Sequence, residues 1–182
     1  MLSGAFHLTA AKLQIAIQGK LSYTGFETDK SIKGRAMEYR IEEMSINHYE
    51  DVVALWKASE GIVLSSVDSR DNIKRFLERN SGMSFVVVDN GEVVGAVLCS
   101  HDGRMGYLTH LAVDKTHRRK GIGRSLVGRC LYTLMSIGIS KCTLLVMEYE
   151  AGAMAFWESI GLKGRVDLLM MSPREAGSEA QS

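Results

Sequence analysis

Apolar and polar residues alternate from Tyr39 to Met44, the period-two pattern of a half-buried strand. The period then lengthens: Val52, Val53, Leu55 and Trp56 form a helical stripe behind Asn47 and Glu50, whose spacing resembles a capping box. Ile73, Phe76 and Leu77 recur at i, i+3, i+4 and predict a second short helix. Between the two helices, Glu60 to Asp68 reads as a loop or partly helical lid. The β-rich runs Phe85 to Val88 and Val93 to Ser100 flank Asn90-Gly91, a pair that tolerates the positive φ of a tight hairpin. His101 to Arg104 turns the chain again, into a strand over Gly106 to Val113. Ile122, Leu126, Val127, Cys130, Leu131, Leu134 and Met135 then mark a longer helix that Gly138 can end. A strand over Lys141 to Met147, a helix over Ala151 to Ile160 and a strand over Val166 to Ser172 complete the pattern. A strand-helix-strand crossover after an antiparallel meander requires a mixed sheet, so the fold class is α/β (α+β) with flanking helices.

Composition narrows the picture. At 182 residues, 46% of them hydrophobic, the chain can bury one sizeable core and reads as one domain. The first 36 residues hold five Lys/Arg against two acids, leaving 17 against 19 from Met37 onward. Residues 1–36 therefore read as a weakly structured N-terminal extension or leader, 37–174 as the domain and 175–182 as a flexible tail. A net charge of +1 argues against nonspecific binding to nucleic acid. No apolar run reaches the roughly 18 residues of a membrane span. Cys99, Cys130 and Cys142 sit in apolar runs without metal-like spacing, so they read as reduced core residues of a cytoplasmic protein, and no metal is expected.

One segment stands apart: His117-Arg118-Arg119-Lys120-Gly121-Ile122-Gly123-Arg124-Ser125, on the turn from a strand into a helix. Helix starts present unpaired N–H groups and a partial positive charge, and glycines let a phosphate come close. Lys120 precedes the glycines, which excludes a Walker loop, and Leu126 stands where a dinucleotide fingerprint needs its third glycine. A solvated charge run that merely turns the chain is the alternative on these residues alone.

Arg118-x-x-Gly121-x-Gly123 after Leu111-Ala112-Val113-Asp114 resembles the acetyl-CoA signature of the GNAT superfamily of N-acetyltransferases. A second block, Glu150-x-x-Ala153-x-x-Phe156-Trp157-x-x-x-Gly161-Leu162, is similar to that family's Asn-x-x-Ala-x-x-Phe-Tyr-x-x-x-Gly-Phe. The resemblance spans about Tyr39 to Ser172 and implies a sheet whose two parallel strands, Leu108 to Val113 and Lys141 to Met147, splay apart around the pantetheine arm of acetyl-CoA. Backbone groups of Leu111, Ala112 and Val113 would meet that arm. The loop of Arg118, Arg119, Lys120, Gly121, Ile122, Gly123, Arg124 and Ser125 would take the pyrophosphate. The implied partners are acetyl-CoA as co-substrate and an amine acceptor, with room for a homodimer; a non-catalytic CoA-binding sensor is the alternative function.

Attack on a thioester needs a neutral amine, and deprotonating a lysine-like amine of pKa about 10.4 costs about 4.6 kcal/mol at pH 7. The family keeps its base at positions that align with Tyr107 and Thr109, neither an ordinary base. His110 is a better one, but strand alternation turns it to the opposite face unless a bulge intervenes. Glu148, at the end of the neighbouring strand, is a comparable candidate. Trp157 replaces the tyrosine that often protonates the departing sulfur, and it has no O–H. Glu150 replaces the asparagine, where its carboxylate could select a cationic amine.

Overall fold

The computed structural model describes residues 12–16, 31–34, 37–147, 151–165 and 167. Its strands are β1 (Lys12–Ala16), β2 (Ser31–Gly34), β3 (Met37–Glu43), β4 (Phe85–Asp89), β5 (Glu92–His101), β6 (Gly106–Val113), β7 (Cys142–Met147) and β8 (Gly164–Arg165). The helices are α1 (Tyr49–Lys57), α2 (Arg70–Arg79), α3 (Ile122–Ser136) and α4 (Ala151–Ser159). All strands join one sheet in the order β2-β3-β4-β5-β6-β7-β1-β8. Within it, β6 and β7 alone run parallel, as the crossover through α3 requires.

Strand alternation divides the core into two layers. Phe85, Val87, Val97, Cys99 and Leu108 face α3 and α4, packing on Leu126, Cys130, Leu134 and Trp157. Val86, Ala96, Leu98 and Ala112 face α1 and α2, against Val52, Trp56 and Ile73. Helix α3 lies close to the sheet because Gly95 and Gly106 carry no side chain beneath it. A Cβ at Gly95 would stand 2.9 Å from Ile122 Cγ2, and one at Gly106 would collide with Leu134.

Several details differ from the sequence reading. The capping-box contact lies two residues earlier than Asn47 and Glu50. Ser45 N donates to His48 Nδ1 (3.1 Å) and starts a 3-10 turn, Ile46–His48, that leads into α1. Two strands fall inside the expected extension. β1 pairs antiparallel with β7 and β8, and β2 with β3. In β1 the apolar Leu13 and Ile15 alternate with Lys12 and Gln14, a strand period. Of the strand expected over Val166 to Ser172, residues 166 and 168–172 lie outside the described residues; the short β8 precedes it. Cys99, Cys130 and Cys142 are free and buried, and no helix among the described residues is long and apolar enough to cross a membrane.

Candidate active site

Strand β6 keeps one edge paired and gives up the other. It bonds to β7 from Gly106 opposite Cys142 to Leu108 opposite Leu144, and no further. Beyond that point the strands part around a narrow cleft of about 100 Å³. Thr109 to Leu111 form one wall and Leu144 to Val146 the other; Ala153 and Trp157 of α4 and the Glu60 to Ile62 loop close it.

The paired edge of β6 carries a bulge. Ala96 lies opposite Ala112 but Leu98 opposite Thr109, so Val97 alone faces both His110 and Leu111. His110 absorbs the extra residue with φ of 54°. The two cores record the result: Leu108 packs on the α3 side and Ala112 on the α1 side, whereas strict alternation would put both on one face. His110 is thereby turned to the face of Thr109, the outcome that the sequence reading made conditional on a bulge.

There His110 is tightly surrounded. Its ring centroid lies 4.7 Å from that of Trp56, whose indole Nε1 donates to the His110 carbonyl at 3.0 Å. Its Nε2 stands 3.1 Å from Asp68 Oδ1, though off the line of a ring N–H, so the contact is at ion-pair distance rather than a well-directed hydrogen bond. Burial lowers the His110 pKa from its ordinary value, and the nearby Asp68 charge only partly opposes this. At neutral pH the ring is therefore neutral and able to take a proton. Asp68 is buried and held from two other directions: its Oδ2 accepts from Ser65 N (2.8 Å) and its carbonyl from the Tyr49 hydroxyl (2.9 Å).

At the far end of β6, Asp114 N donates to Val94 O (2.9 Å). By alternation the backbone groups of Leu111 and Val113 then face away from β5, toward the parted side. The Val113 carbonyl is already in use, accepting from Arg118 Nε at 3.2 Å. Arg118 Nη1 also lies 3.5 Å from Glu60 Oε2, and Lys115 Nζ 2.8 Å from Glu60 Oε1. Lys115 foremost, then Arg118, lowers the Glu60 pKa. These contacts join the loop after α1 to the loop after β6.

The basic glycine segment is ordered by its neighbours. His117 is no solvated charge: its Nε2 meets Asp89 Oδ2 at 3.1 Å and its Nδ1 meets Asp114 Oδ1 at 3.0 Å. Arg119 and Gly121 then take φ of 65° and 86°, turning the chain sharply into α3. Gly121 is the N-cap residue and has no side chain to cap the helix, so the N–H groups of Gly121 to Arg124 have no acceptor among the described residues. Ser125 N, counted in the sequence reading among the pyrophosphate donors, is committed to Gly121 O (3.0 Å). A Cβ on Gly123 would meet the Phe156 ring at 3.3 Å, so this glycine also serves the packing of α3 on α4.

Other expected site residues are distributed as follows. Thr109, exposed, and Trp157, buried, both line the cleft. Tyr107 is outside it: its hydroxyl donates to Asp102 Oδ2 (3.0 Å) at the β5–β6 turn, which raises the Tyr107 pKa. Asp102 is held at about 2, chiefly by the backbone N–H groups of Met105 and Arg104. Glu148 and Glu150 lie outside the described residues. No cluster of metal-ligating side chains occurs among the described residues. The family resemblance put the Glu60 to Asp68 loop beside the acceptor site but singled out neither Glu60 nor Asp68, and it left Trp56 as a core residue; none of the three lies in a motif.

A family model described as the acetyltransferase (GNAT) family matches residues 49–162. An acetyltransferase of Pectobacterium atrosepticum is 28% identical over 138 residues, covering 76% of this chain and 95% of its own. One from Yersinia pestis is 26% identical with the same coverage. Among solved structures, an aminoglycoside acetyltransferase from an uncultured soil metagenomic sample, in complex with sisomicin, is similar with a TM-score of 0.61. It is 18% identical, over 75% of this chain and 95% of that one. The ribosomal-protein-S18-alanine N-acetyltransferase of Escherichia coli is similar with a TM-score of 0.55 at 21% identity, over 68% and 76%. At these identities the structural likeness is one of fold.

Proposed function

This chain belongs to the acetyltransferase (GNAT) family and is an acyltransferase; from that premise we propose that it moves an acetyl group from acetyl-CoA to a primary amine by direct attack within a ternary complex. The observation that carries this reading is the cleft where β6 leaves β7, continued by a helix start whose N–H groups have no acceptor among the described residues. Acetyl-CoA fits both parts. A thin arm bearing amides suits a narrow cleft lined by both apolar and polar groups, and a pyrophosphate suits a cluster of N–H donors at a helix dipole. Acetyl-CoA supplies the acetyl group as a thioester, and its sulfur departs as a thiolate.

The protein's own groups then have defined tasks. Leu111 and the N–H of Val113 offer backbone groups to the arm, and the N–H groups from Gly121 to Arg124 bind phosphate oxygens. Each hydrogen bond to a charged group contributes on the order of 1.5 to 3 kcal/mol, so three or four approach the roughly 8 kcal/mol of micromolar affinity. His110 takes the proton that the amine loses as its nitrogen bonds to the acetyl carbon and the carbon–sulfur bond breaks. Trp157 shapes the cleft but has no proton to give. A thiol of pKa about 8.5 leaves as thiolate at modest cost without an acid. Three buried free thiols are in keeping with a reducing, cytoplasm-like setting for this reaction.

A calorimetric titration with acetyl-CoA, followed by thiol-release assays over peptide α-amines, lysine peptides, polyamines and aminoglycosides, tests the reading. Micromolar binding and turnover with at least one amine are expected. Absence of binding at millimolar acetyl-CoA would overturn it.

A further inference from the structure

We propose that Asp68 is the positioning residue for His110, its carboxylate keeping the ring proton on Nε2 so that the Nδ1 lone pair is presented to the cleft. The inference rests on the reading of His110 as proton acceptor, and it says how a histidine on a bulge is kept in one tautomer and one orientation.

The carboxylate is divided between two tasks. Oδ2 accepts from Ser65 N at 2.8 Å, while Oδ1 is turned to His110 Nε2 at 3.1 Å. Nε2 is the ring atom shut off from solvent, and His110 lines the cleft, which leaves Nδ1 as its open nitrogen. A carboxylate opposite one ring nitrogen fixes the proton there and raises the basicity of the other. The contact is off-axis here, as such contacts often are before substrate binds. Trp56 restrains the ring from a second side, through its face and through the bond from Nε1 to the His110 carbonyl.

No other described charge competes at that nitrogen. Asp68 lies behind His110 and does not line the cleft; the carboxylate that does, Glu60, is engaged by Lys115 and Arg118. The walls given by β7 and α4, Leu144 to Val146, Ala153 and Trp157, carry no ionisable group.

Nitrogen-15 NMR of the histidine rings tests this without any acceptor, with the His110 signals assigned by their loss in His110→Gln. The wild type should carry its neutral-state proton on Nε2. In Asp68→Asn, which keeps an oxygen for Ser65 N, the His110 midpoint should fall further below the ordinary histidine value and the Nε2–H tautomer should lose its dominance. Asp68→Glu should restore the midpoint toward the wild type. With an amine from the acceptor panel, Asp68→Asn should lower kcat about 10- to 100-fold while the KM for acetyl-CoA stays unchanged. A wild-type ring protonated on Nδ1, a measurement that needs no variant, would overturn the proposal. So would an unchanged tautomer and midpoint in folded Asp68→Asn, which is what a purely structural Asp68 predicts. If no amine is acetylated, the transfer reading fails while the ring spectra still decide the role of Asp68.

Discussion

Arg118 turns back on its own strand and donates from Nε to the Val113 carbonyl at 3.2 Å. The bond occupies an acceptor on the free edge of β6 that an added chain would otherwise use. With Nη1 directed at Glu60, the first arginine of the signature shapes the loop, and the proposed phosphate contacts fall to the helix start behind it.

Arg118→Ala should therefore weaken acetyl-CoA binding only about 2- to 10-fold, the worth of one hydrogen bond and an exposed ion pair. Lys120→Glu, a charge reversal at an exposed position just before the helix start, should weaken it by more than about tenfold. Calorimetry on both variants decides; complete loss of binding in Arg118→Ala would assign the guanidinium directly to the phosphates.

The His110 pKa is lowered in the folded chain, so folding favours the neutral ring. The sign follows from linkage: this contribution to stability is fully present above the ordinary histidine value of about 6.5 and is lost as pH falls through the lower folded value. Thermal unfolding of the wild type between pH 7 and pH 5 should show that loss, and His110→Gln should remove that component. The acetylation rate should rise over the same low window and be set at pH 7 by the protonation of the acceptor amine, whereas His110→Gln should lower kcat by about 100-fold or more.

Glycine substitutions should separate packing from binding. Gly106→Ala forces a methyl into the fully buried Leu134 and should cost about 1–3 kcal/mol, lowering the Tm by roughly 2–12 °C with little effect on acetyl-CoA affinity. Gly123→Ala should reduce both stability and affinity, because its Cβ presses the Phe156 ring at 3.3 Å while standing in the turn proposed to hold the phosphates. Paired melting curves and titrations will show whether the two effects part as expected.

The three cysteines should be silent toward thiol reagents in the native protein. Burial raises the Cys130 thiol well above its ordinary value and pushes Cys142 up to about 12. An aromatic disulfide such as DTNB should label none of them before unfolding and all three in guanidinium. Rapid labelling of the folded chain would contradict the burial. The same inertness makes coupled thiol detection a clean assay for released CoA.

Much of this molecule was legible in one dimension. Period-two alternation located β3, helical periods α1 to α3, and continuous β-rich runs broken by turn residues the strands β4 and β5, which are buried on both faces. The sharp turn into α3 was legible too, since a helix start and a positive-φ glycine are local properties of Arg119 to Ile122. The sequence by itself thus determined the order of elements from β3 to α4, the mixed sheet and the end of the cleft that suits an anion. Tertiary structure alone decided the chemistry at the other end. The bulge arises from how β6 meets Val97 on its neighbour, and it sets which face His110 occupies. Asp68, Trp56 and Glu60 come to that face from α1 and the loop beyond it, brought there by packing rather than by spacing. A side chain's direction on a strand depends on register with the next strand, and a pKa depends on what surrounds the group in space. Neither is written in the residues on either side of it.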